Sequence, residues 1–245
     1  FDVWLPGMGV LYEVNASTRV VAGVHRGFAT PTNAPGVDPE ESINYELGVR
    51  HDSGRNSLEA MFFFNDYDNL VGVCTNSSGS DCSPGDAFNG AGVHIPGLEF
   101  TYSTWFEAGA GWELPLQIVY TWMKAEFQTD FDSEFFGEVN KGDPVPYIPE
   151  NQLWASLGLK KGPWSFHLSG NYLDSVCTEA SCGPWEKTES AMLFDLSGPF
   201  RINDRWTLYA VVENLTDEVY IAARDPYGAR PNKPRTVLAG ARFDF

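Results

Sequence analysis

The amino-acid sequence predicts an all-β protein, an antiparallel up-and-down transmembrane β-barrel of which about eleven strands lie in this chain. Three observations predict this class. Apolar and polar residues alternate along segments of about nine or more residues, as in strands that separate two environments. Short turns and long loops alternate along the chain, which is the layout of a membrane barrel. The chain also ends on Phe243-Asp244-Phe245, an apolar strand end that a soluble sheet rarely leaves exposed.

The composition supports strands and excludes one class of partner. Aromatic residues make up 14% of the chain and glycine numbers 24, a content that suits strands and tight turns better than helices. Lys and Arg total 16 against 33 acidic residues, which gives a net charge of −17. Binding to nucleic-acid phosphates needs a basic surface, so we expect no nucleic acid among the partners. No apolar run approaches the ~20 residues of a transmembrane helix.

The first half of the chain contains six predicted strands. An apolar stretch runs into a tight turn at 15–17, and alternation resumes from Thr18. The clearest pattern places two sets of residues on opposite faces, Ile43, Tyr45, Leu47 and Val49 against Asn44, Glu46, Gly48 and Arg50. Because side chains alternate across a strand, one face is apolar and the other polar. The six predicted strands are 1–14, 18–27, 43–51, 56–67, 95–107 and 112–127.

The second half contains five more strands. Two of them form a hairpin around Lys160-Lys161-Gly162, and another two pair around Asn203-Asp204. The second arm of the first hairpin alternates most cleanly, with one face made of Trp164, Phe166, Leu168, Gly170 and Tyr172. The five predicted strands are 151–159, 164–172, 192–202, 205–213 and 235–245.

The connections form two alternating groups. Short turns lie near 15–17, 53–55, 109–111, 160–162 and 203–204. Long loops lie near 28–41, 68–92, 128–150, 175–189 and 214–234. Short turns at one end and long loops at the other are typical of a membrane barrel, and Phe245 is therefore expected at the short-turn end.

The alternation alone fits a soluble β-sandwich as well as a barrel, because both have one apolar and one polar face. The strand lengths and the unequal connections favour the barrel, since ~10 tilted residues cross the apolar layer of a membrane. The barrel assigns the two faces. The residues predicted to face lipid are Leu47, Val49, Phe166, Leu168, Ala239 and Ala241. Those predicted to face the lumen are Glu46, Arg50, Ser169 and Arg242.

Four cysteines form two close pairs, Cys74 with Cys82 and Cys177 with Cys182. Each pair lies in a polar segment that is typical of a loop. We expect two local disulfides and an oxidising compartment. A zinc site is the alternative, but neither pair has CxxC spacing or a nearby histidine.

No set of residues predicts an enzyme. Four histidines are scattered over different segments, at His25, His51, His94 and His167. No nucleophile–base set stands out. We therefore expect no catalytic residues, no metal site and no enzymatic activity.

Several motifs resemble TonB-dependent outer-membrane receptors. Residues 24–31 are similar to their GF-x-x-P passage from strand to loop, and residues 39–50 to their PE-x-S-x-NYE-x-G-x-R segment, which 63–70 continue. Residues 213–220 resemble the ENL-x-D-x-x-Y motif before the last loop. Residues 226–236 look like the P-x-GARP-x-KPRT of receptors of the ferric dicitrate type. The order of these motifs and the terminal Phe245 make the resemblance specific over nearly the whole chain.

The resemblance implies half of a 22-stranded barrel in a bacterial outer membrane. Residues 1–245 would then be the C-terminal part of this barrel, and the plug domain, TonB box and N-terminal strands would lie outside this chain. Such receptors import iron chelates or similar nutrients. The implied partners are the TonB energy-transducing complex, reached through the N-terminal region, and outer-membrane lipid, lipopolysaccharide and an iron chelate. The implied ligand is a transported ferric chelate, siderophore or citrate-like, with no cofactor. A passive porin and a surface adhesin or phage-receptor barrel are the alternatives.

The last long loop holds the candidate ligand contacts. Its cations are Arg224, Arg230, Lys233 and Arg235, with Asp225 the only acid among them. Guanidinium and ammonium groups bind the carboxylates of anionic chelates, and Arg230 is the favoured contact. The alternative is that these cations pair with neighbouring acids or with lipopolysaccharide phosphates. The other long loops are acidic and would repel a di- or trianionic chelate, and divalent cations bridging their carboxylates to lipid phosphates are a further alternative.

Overall fold

A computed structural model describes residues 3–30, 36–74, 83–133, 136–224 and 228–245. The first nine strands are β1 (Gly7–Asn15), β2 (Thr18–Ala29), β3 (Glu40–Asp52), β4 (Ser57–Asp68), β5 (Val71–Val73), β6 (Ala87–Asn89), β7 (Val93–Glu107), β8 (Glu113–Met123) and β9 (Glu126–Phe127). The other nine are β10 (Phe131–Ser133), β11 (Gly137–Val139), β12 (Asn151–Lys161), β13 (Trp164–Leu173), β14 (Ala191–Arg201), β15 (Trp206–Glu213), β16 (Ile221–Ala223), β17 (Arg230–Pro231) and β18 (Thr236–Phe243). Within the described ranges, no helix is long and apolar enough to span a membrane.

Eleven long strands form one antiparallel sheet in chain order. Their sequence across the sheet is β1-β2-β3-β4-β7-β8-β12-β13-β14-β15-β18, with β9 attached to β7. Each long strand therefore pairs with its neighbours along the chain, which is an up-and-down meander. The prediction of an all-β antiparallel sheet of about eleven strands is confirmed.

The strand register aligns apolar residues across the sheet. One row runs through six strands at Leu116, Leu157, Leu168, Leu196, Val212 and Val237. On the opposite face, Ser169 lies between Ser156 and Asp195. A one-residue slip would exchange these two faces. The register thus separates an aliphatic face from a polar face, as the alternation predicts.

The apolar face of the sheet is exposed. Leu47 is 56% exposed and Leu168 44%. Ser42 and Asn44, on the opposite face of β3, are buried at 7% and 9%. A water-soluble sheet would bury its apolar face against a core. Glu46 and Arg50, also on that opposite face, are exposed. Exposed aliphatic rows are typical of the outer face of a membrane-barrel wall.

Short turns and the C-terminus lie at the same end of the sheet. The backbone N–H of Asp244 donates to the Arg205 carbonyl oxygen at 2.9 Å, beside the turn between β14 and β15. Phe245 follows directly, so its predicted place at the short-turn end is confirmed. In the β12–β13 turn, Gly162 adopts a φ of 56°, a left-handed conformation that glycine adopts without strain.

Aromatic side chains gather at the short-turn end of the outer face. The rings of Trp164 and Phe200 are 4.4 Å apart, and those of Trp206 and Phe243 are 4.8 Å apart. Phe245 packs edge-on against Phe243 at 5.2 Å. Aromatic rings of this kind form the girdles at the two surfaces of a membrane barrel.

One predicted strand, 112–127, is interrupted near its end. The expected strand 112–127 ends at Met123, and Glu126–Phe127 form the separate β9, which pairs with the beginning of β7. The register against β7 continues across this interruption, because Met123 lies opposite Gly97 and Phe127 opposite Val93, and the Lys124 N–H donates to the Pro96 carbonyl oxygen at 3.0 Å. Ala125 and Phe127 are buried there, at 6% and 0% exposure. The long loops also contain the short strands β5, β6, β10, β11, β16 and β17, which the sequence did not predict.

The buried apolar core lies among the long loops and at the beginning of β7. Its centre is made of Val93, Ala125, Phe127, Val139 and Ala180. Three phenylalanines pack edge-on here, with Phe127 5.2 Å from Phe131 and 5.1 Å from Phe136. The loop end of the molecule is therefore a packed structure with its own core.

Candidate functional site

The described parts of the five long loops lie at the end opposite the short turns. We name them loop 1 (30–39), loop 2 (69–92), loop 3 (124–150), loop 4 (174–190) and loop 5 (214–235). Loops at the accessible mouth of a barrel are where such a fold binds its ligands. The loop end is therefore the candidate functional site.

Neighbouring loops contact one another along this end. Asp38 of loop 1 and Asn89 of loop 2 exchange two hydrogen bonds, of 2.7 and 2.8 Å. Phe88 and Phe136 join loops 2 and 3 with their rings 5.5 Å apart. The backbone N–H of Tyr147 in loop 3 donates to the Cys177 carbonyl oxygen in loop 4 at 2.8 Å. These contacts make a continuous chain of loops around the rim of the half-barrel.

A disulfide fixes loop 4 in the loop core. Cys177 and Cys182 are bonded, with their Cα atoms 5.5 Å apart, which confirms the predicted pair. The intervening Ala180 is fully buried in the loop core. Of the other pair, Cys74 is 2% exposed, and Cys82 lies outside the described residues, so the Cys74–Cys82 bond stays a prediction.

A hydrogen-bonded group marks where β12 and β13 meet loop 4. The Tyr172 hydroxyl and the Asn151 amide donate to the Asp174 carboxylate at 2.5 and 2.6 Å. Tyr120 donates to Asn151 Oδ1 at 2.6 Å. Burial raises the pKa of the Asp174 carboxyl, but the hydrogen bonds from Tyr172 and Asn151 outweigh it and hold the pKa below its ordinary value. The pair of strands thus ends in a satisfied polar group on the loop side.

The inner wall carries a polar cavity below loop 1. Its volume is ≈ 450 Å³, and its lining includes His25, Asn44, Glu46, Asn65 and Tyr67. Gly27 opens this cavity, because a side chain there would clash with Ser42. The sequence placed Glu46 on the inner face but did not predict a cavity. The sequence feature that could have predicted the cavity is Gly27 on one strand, which lies opposite the small polar residue Ser42 on the next strand.

Large side chains on the inner wall lie flat across glycines of the adjacent strand. The Phe63 ring covers Gly97, and Tyr209 covers Gly240. A Cβ at either glycine would overlap the ring. These bulky groups therefore lie along the wall of the sheet.

The four candidate cations of loop 5 separate into two groups. Lys233 and Arg235 lie at the base of the loop, where Lys233 Nζ pairs with Glu213 and Arg235 pairs with Asp217 at 3.6 Å. Arg224 and Arg230 lie farther out, with Arg230 opposite Ala223 in the β16–β17 ladder. Arg224 Nε donates to the Lys187 carbonyl oxygen of loop 4. Arg230 is exposed and forms no ion pair with any carboxylate in the described part of the chain.

The histidines do not converge. His51 contacts Thr18 at 3.0 Å, His94 contacts Asp66 at 3.2 Å, and His167 contacts Ser165 at 2.9 Å. His25 lines the inner cavity. Across the described segments, no three His, Cys, Asp or Glu side chains form a metal-binding group.

Comparisons with known proteins agree with the fold. Residues 1–215 match the family model described as TonB dependent receptor-like, beta-barrel. The vitamin B12 transporter BtuB of Vibrio vulnificus (strain CMCP6) is 26% identical over 223 residues, covering 87% of this chain and 32% of that protein.

Solved structures of similar proteins share the architecture. The ferric citrate transporter FecA has a TM-score of 0.76 and 20% sequence identity. The match covers 97% of this chain and 38% of the FecA chain. The ferric yersiniabactin uptake receptor FyuA of Yersinia pestis has a TM-score of 0.74 with 21% identity, and coverages of 98% and 37%. The two scores are nearly equal, so the ferric dicitrate type of receptor stays a prediction.

The chain spans about a third of the length of these relatives, from 32% to 38%. All three are named as transporters or uptake receptors and not as enzymes, in agreement with the sequence. The family model covers most of the chain, and the meander of long strands matches the solved barrels. This chain therefore belongs to the TonB dependent receptor-like, beta-barrel family.

Proposed function

We propose that this chain forms the C-terminal part of the barrel of an outer-membrane receptor that imports a ferric chelate with energy from the TonB complex. The observation that carries the proposal is the family match over residues 1–215, together with five long loops at one end of an eleven-strand meander. The TonB contact belongs to the N-terminal region of the whole receptor. Iron travels as cargo within the chelate, so we propose no resident cofactor.

The outer face supports a place in the membrane. Its exposed aliphatic rows would contact lipid chains. Above them, towards the loops, a row of residues across five strands contains Arg26, Asp66, His94 and Glu126. Charged groups at this level suit the headgroup region, where lipopolysaccharide carries its phosphates.

Arg230 is the proposed contact for an anionic group of the chelate. Lys233 and Arg235 are already paired with Glu213 and Asp217, so binding a ligand there would require breaking an ion pair. Arg230 has no such pair among the described carboxylates, so binding there would break none of them. A guanidinium can bind a carboxylate through two parallel hydrogen bonds.

The charge of the other loops bears on the class of chelate. The stretches 28–41, 68–92, 128–150 and 175–189 contain fifteen acidic residues against two lysines, Lys141 and Lys187. This negative potential opposes a highly charged anion. We therefore propose only that the ligand is a ferric chelate. Binding measured with chelates of different charge would identify which kind of chelate it is.

The test is uptake by the full-length receptor in cells that lack their other iron receptors. Radiolabelled ferric citrate, a ferric catecholate and a ferric hydroxamate are supplied with and without functional TonB. We expect one chelate to accumulate in a TonB-dependent manner. Uptake without TonB would favour a passive porin, and surface binding without uptake of any chelate would favour an adhesin; either result would refute the proposal.

The role of Arg230 is tested with two matched variants. Arg230→Lys keeps the charge but removes the planar donor pair, so we expect weaker chelate binding with little change in barrel melting. Arg235→Lys is the control, because Arg235 already pairs with Asp217. Unchanged binding by Arg230→Lys would contradict the assignment, whatever the control shows.

A further inference from the structure

The base of loop 5 is fastened by the buried side chain of Asn214. This side chain is 4% exposed. Its Nδ2 donates to the carbonyl oxygens of Glu218 at 2.9 Å and Lys233 at 3.2 Å, and its Oδ1 accepts from the Glu218 N–H at 2.9 Å. The Asn214 N–H donates to Asp195 Oδ1 at 2.8 Å. One asparagine thus joins both limbs of the loop to each other and to strand β14.

Asn232 makes a second set of bonds one step farther along the loop. Its Oδ1 accepts from the Tyr220 N–H at 3.1 Å, and its own N–H donates to the Tyr220 carbonyl oxygen at 3.1 Å. Its Nδ2 donates to the carbonyl oxygens of Glu218 at 2.9 Å and Lys233 at 3.2 Å. The two limbs are therefore held together by side-chain amides before the short strands begin.

Arg230 lies in the short β16–β17 ladder, which begins directly beyond these two asparagines along loop 5. Ile221 lies opposite Pro231, and Ala223 lies opposite Arg230. The Ile221 end of this ladder is also tied to loop 4, where Ile221 N–H donates to Glu189 Oε2 at 2.8 Å and Glu189 N–H donates to the Ile221 carbonyl oxygen at 3.0 Å. A two-residue strand such as β17 is too short to be stable alone. Its position depends on the groups that fasten its base.

We propose that Asn214 and Asn232 are positioning residues that hold the backbone of Arg230 in place for ligand capture. This inference rests on the proposed role of Arg230 as an anion contact. A cation on a fixed backbone loses less conformational entropy on binding than one on a mobile loop. The buried amide of Asn214 bonds to three backbone groups. Its truncation would remove the partner of the Glu218 N–H, whereas the Glu218 and Lys233 carbonyl oxygens would keep their bonds from Asn232.

The first test measures backbone mobility at position 230 without any ligand. A nitroxide label is attached to the cysteine of an Arg230→Cys variant of the full-length receptor. The described part of this chain has no other free thiol that would react with the label. Asn232→Ala is the main variant, because Asn232 is only partly buried and its loss spares the barrel wall. Asn232→Asp keeps the acceptor for the Tyr220 N–H and removes the two amide donations.

The matched control is Asn203→Ala at the short-turn end. Asn203 Oδ1 accepts from the Arg205 and Trp206 N–H groups at 2.9 and 3.0 Å, so the control removes a comparable asparagine cap far from loop 5. We expect the label to become more mobile in Asn232→Ala, less so in Asn232→Asp, and to stay unchanged in Asn203→Ala. An unchanged spectrum in Asn232→Ala would overturn the inference.

The second test is a double-mutant cycle on binding of the chelate that the uptake panel selects. We expect Asn232→Ala to weaken binding about tenfold when Arg230 is present and to have no further effect in an Arg230→Ala receptor. An equal loss in both backgrounds would show that Asn232 acts independently of Arg230 and would overturn the inference. Wild-type affinity in Arg230→Ala alone would refute the proposed anion contact instead, and the label mobility would still decide whether the asparagines hold this segment.

Discussion

Replacing Leu168 with arginine would place a charge in the centre of the aliphatic face. Leu168 lies four residues from Trp164 and four from Tyr172 on β13. At ~3.3 Å per residue it is about 13 Å along the strand from each aromatic residue. With a strand tilt of ~40° this is roughly 10 Å of height on either side, close to the middle of an apolar band ~25 Å tall. An arginine there is expected to destabilise the folded barrel by ~2–4 kcal/mol.

Ser169→Arg is the matched control on the other face of the same strand. Ser169 lies opposite Asp195, so an arginine at 169 meets a carboxylate in a wet interior. We expect a loss of less than about 1 kcal/mol, as for a substitution on a polar surface.

The assay is urea-dependent folding of the full-length receptor into lipid vesicles, followed by the gel mobility of the folded form. The predicted order is wild type, then Ser169→Arg close to it, then Leu168→Arg well below both. If Ser169→Arg were the more damaging change, the polar face would be the packed face and the barrel assignment would be wrong. Equal losses would contradict the assignment as well, because they would mean that neither face meets lipid.

Three further predictions concern the loop end. Phe127→Ala removes a fully buried ring and should destabilise the loop core by ~3–5 kcal/mol. Amide exchange should become faster in loops 2 to 4 and stay unchanged in the long strands. Faster exchange throughout the chain would contradict a separate loop core. Cys177→Ser should release loop 4 to proteases while the barrel still folds, and protection equal to wild type would show that Ala180 packing suffices without the bond. The pKa of Asp174 is lowered in the folded protein. The resulting stabilisation is complete above the ordinary carboxyl pKa of 3.8 and is lost as pH falls through the lower pKa of the folded state. Amide exchange near Asn151 should therefore rise only in strongly acidic buffer, and a rise beginning near neutral pH would refute this.

The sequence predicted the long strands because each obeys a single local rule. Residues 164–172 alternate without interruption, and β13 runs from Trp164 to Leu173. The turns follow from glycine and asparagine at 162 and 203. A meander adds only neighbour-to-neighbour pairing, so strand order follows once the strands are known.

The loop core was not predicted because its pattern is not periodic. Phe127, Val139 and Ala180 come from two loops, and nothing in the local sequence around any of them requires burial. Their positions are set by contacts between distant segments. The phenylalanines at 127, 131 and 136 were the available signal, since aromatic residues are unusual in an acidic, proline-containing loop.

The candidate site was predicted in composition but not in arrangement. The sequence placed four cations in one loop, yet it gave no reason to separate Lys233 and Arg235 from Arg230. That separation depends on Glu213 and Asp217, which pair with the first two. Asn214 and Asn232 were missed because an asparagine in a loop is common, and only the fold shows that their amides join both limbs.

Labelling of intact cells tests the membrane topology most directly. Lys141→Cys in loop 3 and Asp204→Cys in a short turn, both at exposed positions, are introduced separately into the full-length receptor and treated with a thiol reagent that does not cross the outer membrane. We expect the cysteine at 141 to react in intact cells and the one at 204 to react only after the cells are broken. Reaction at 204 in intact cells, with 141 protected, would place the long loops on the wrong side of the membrane and contradict the account.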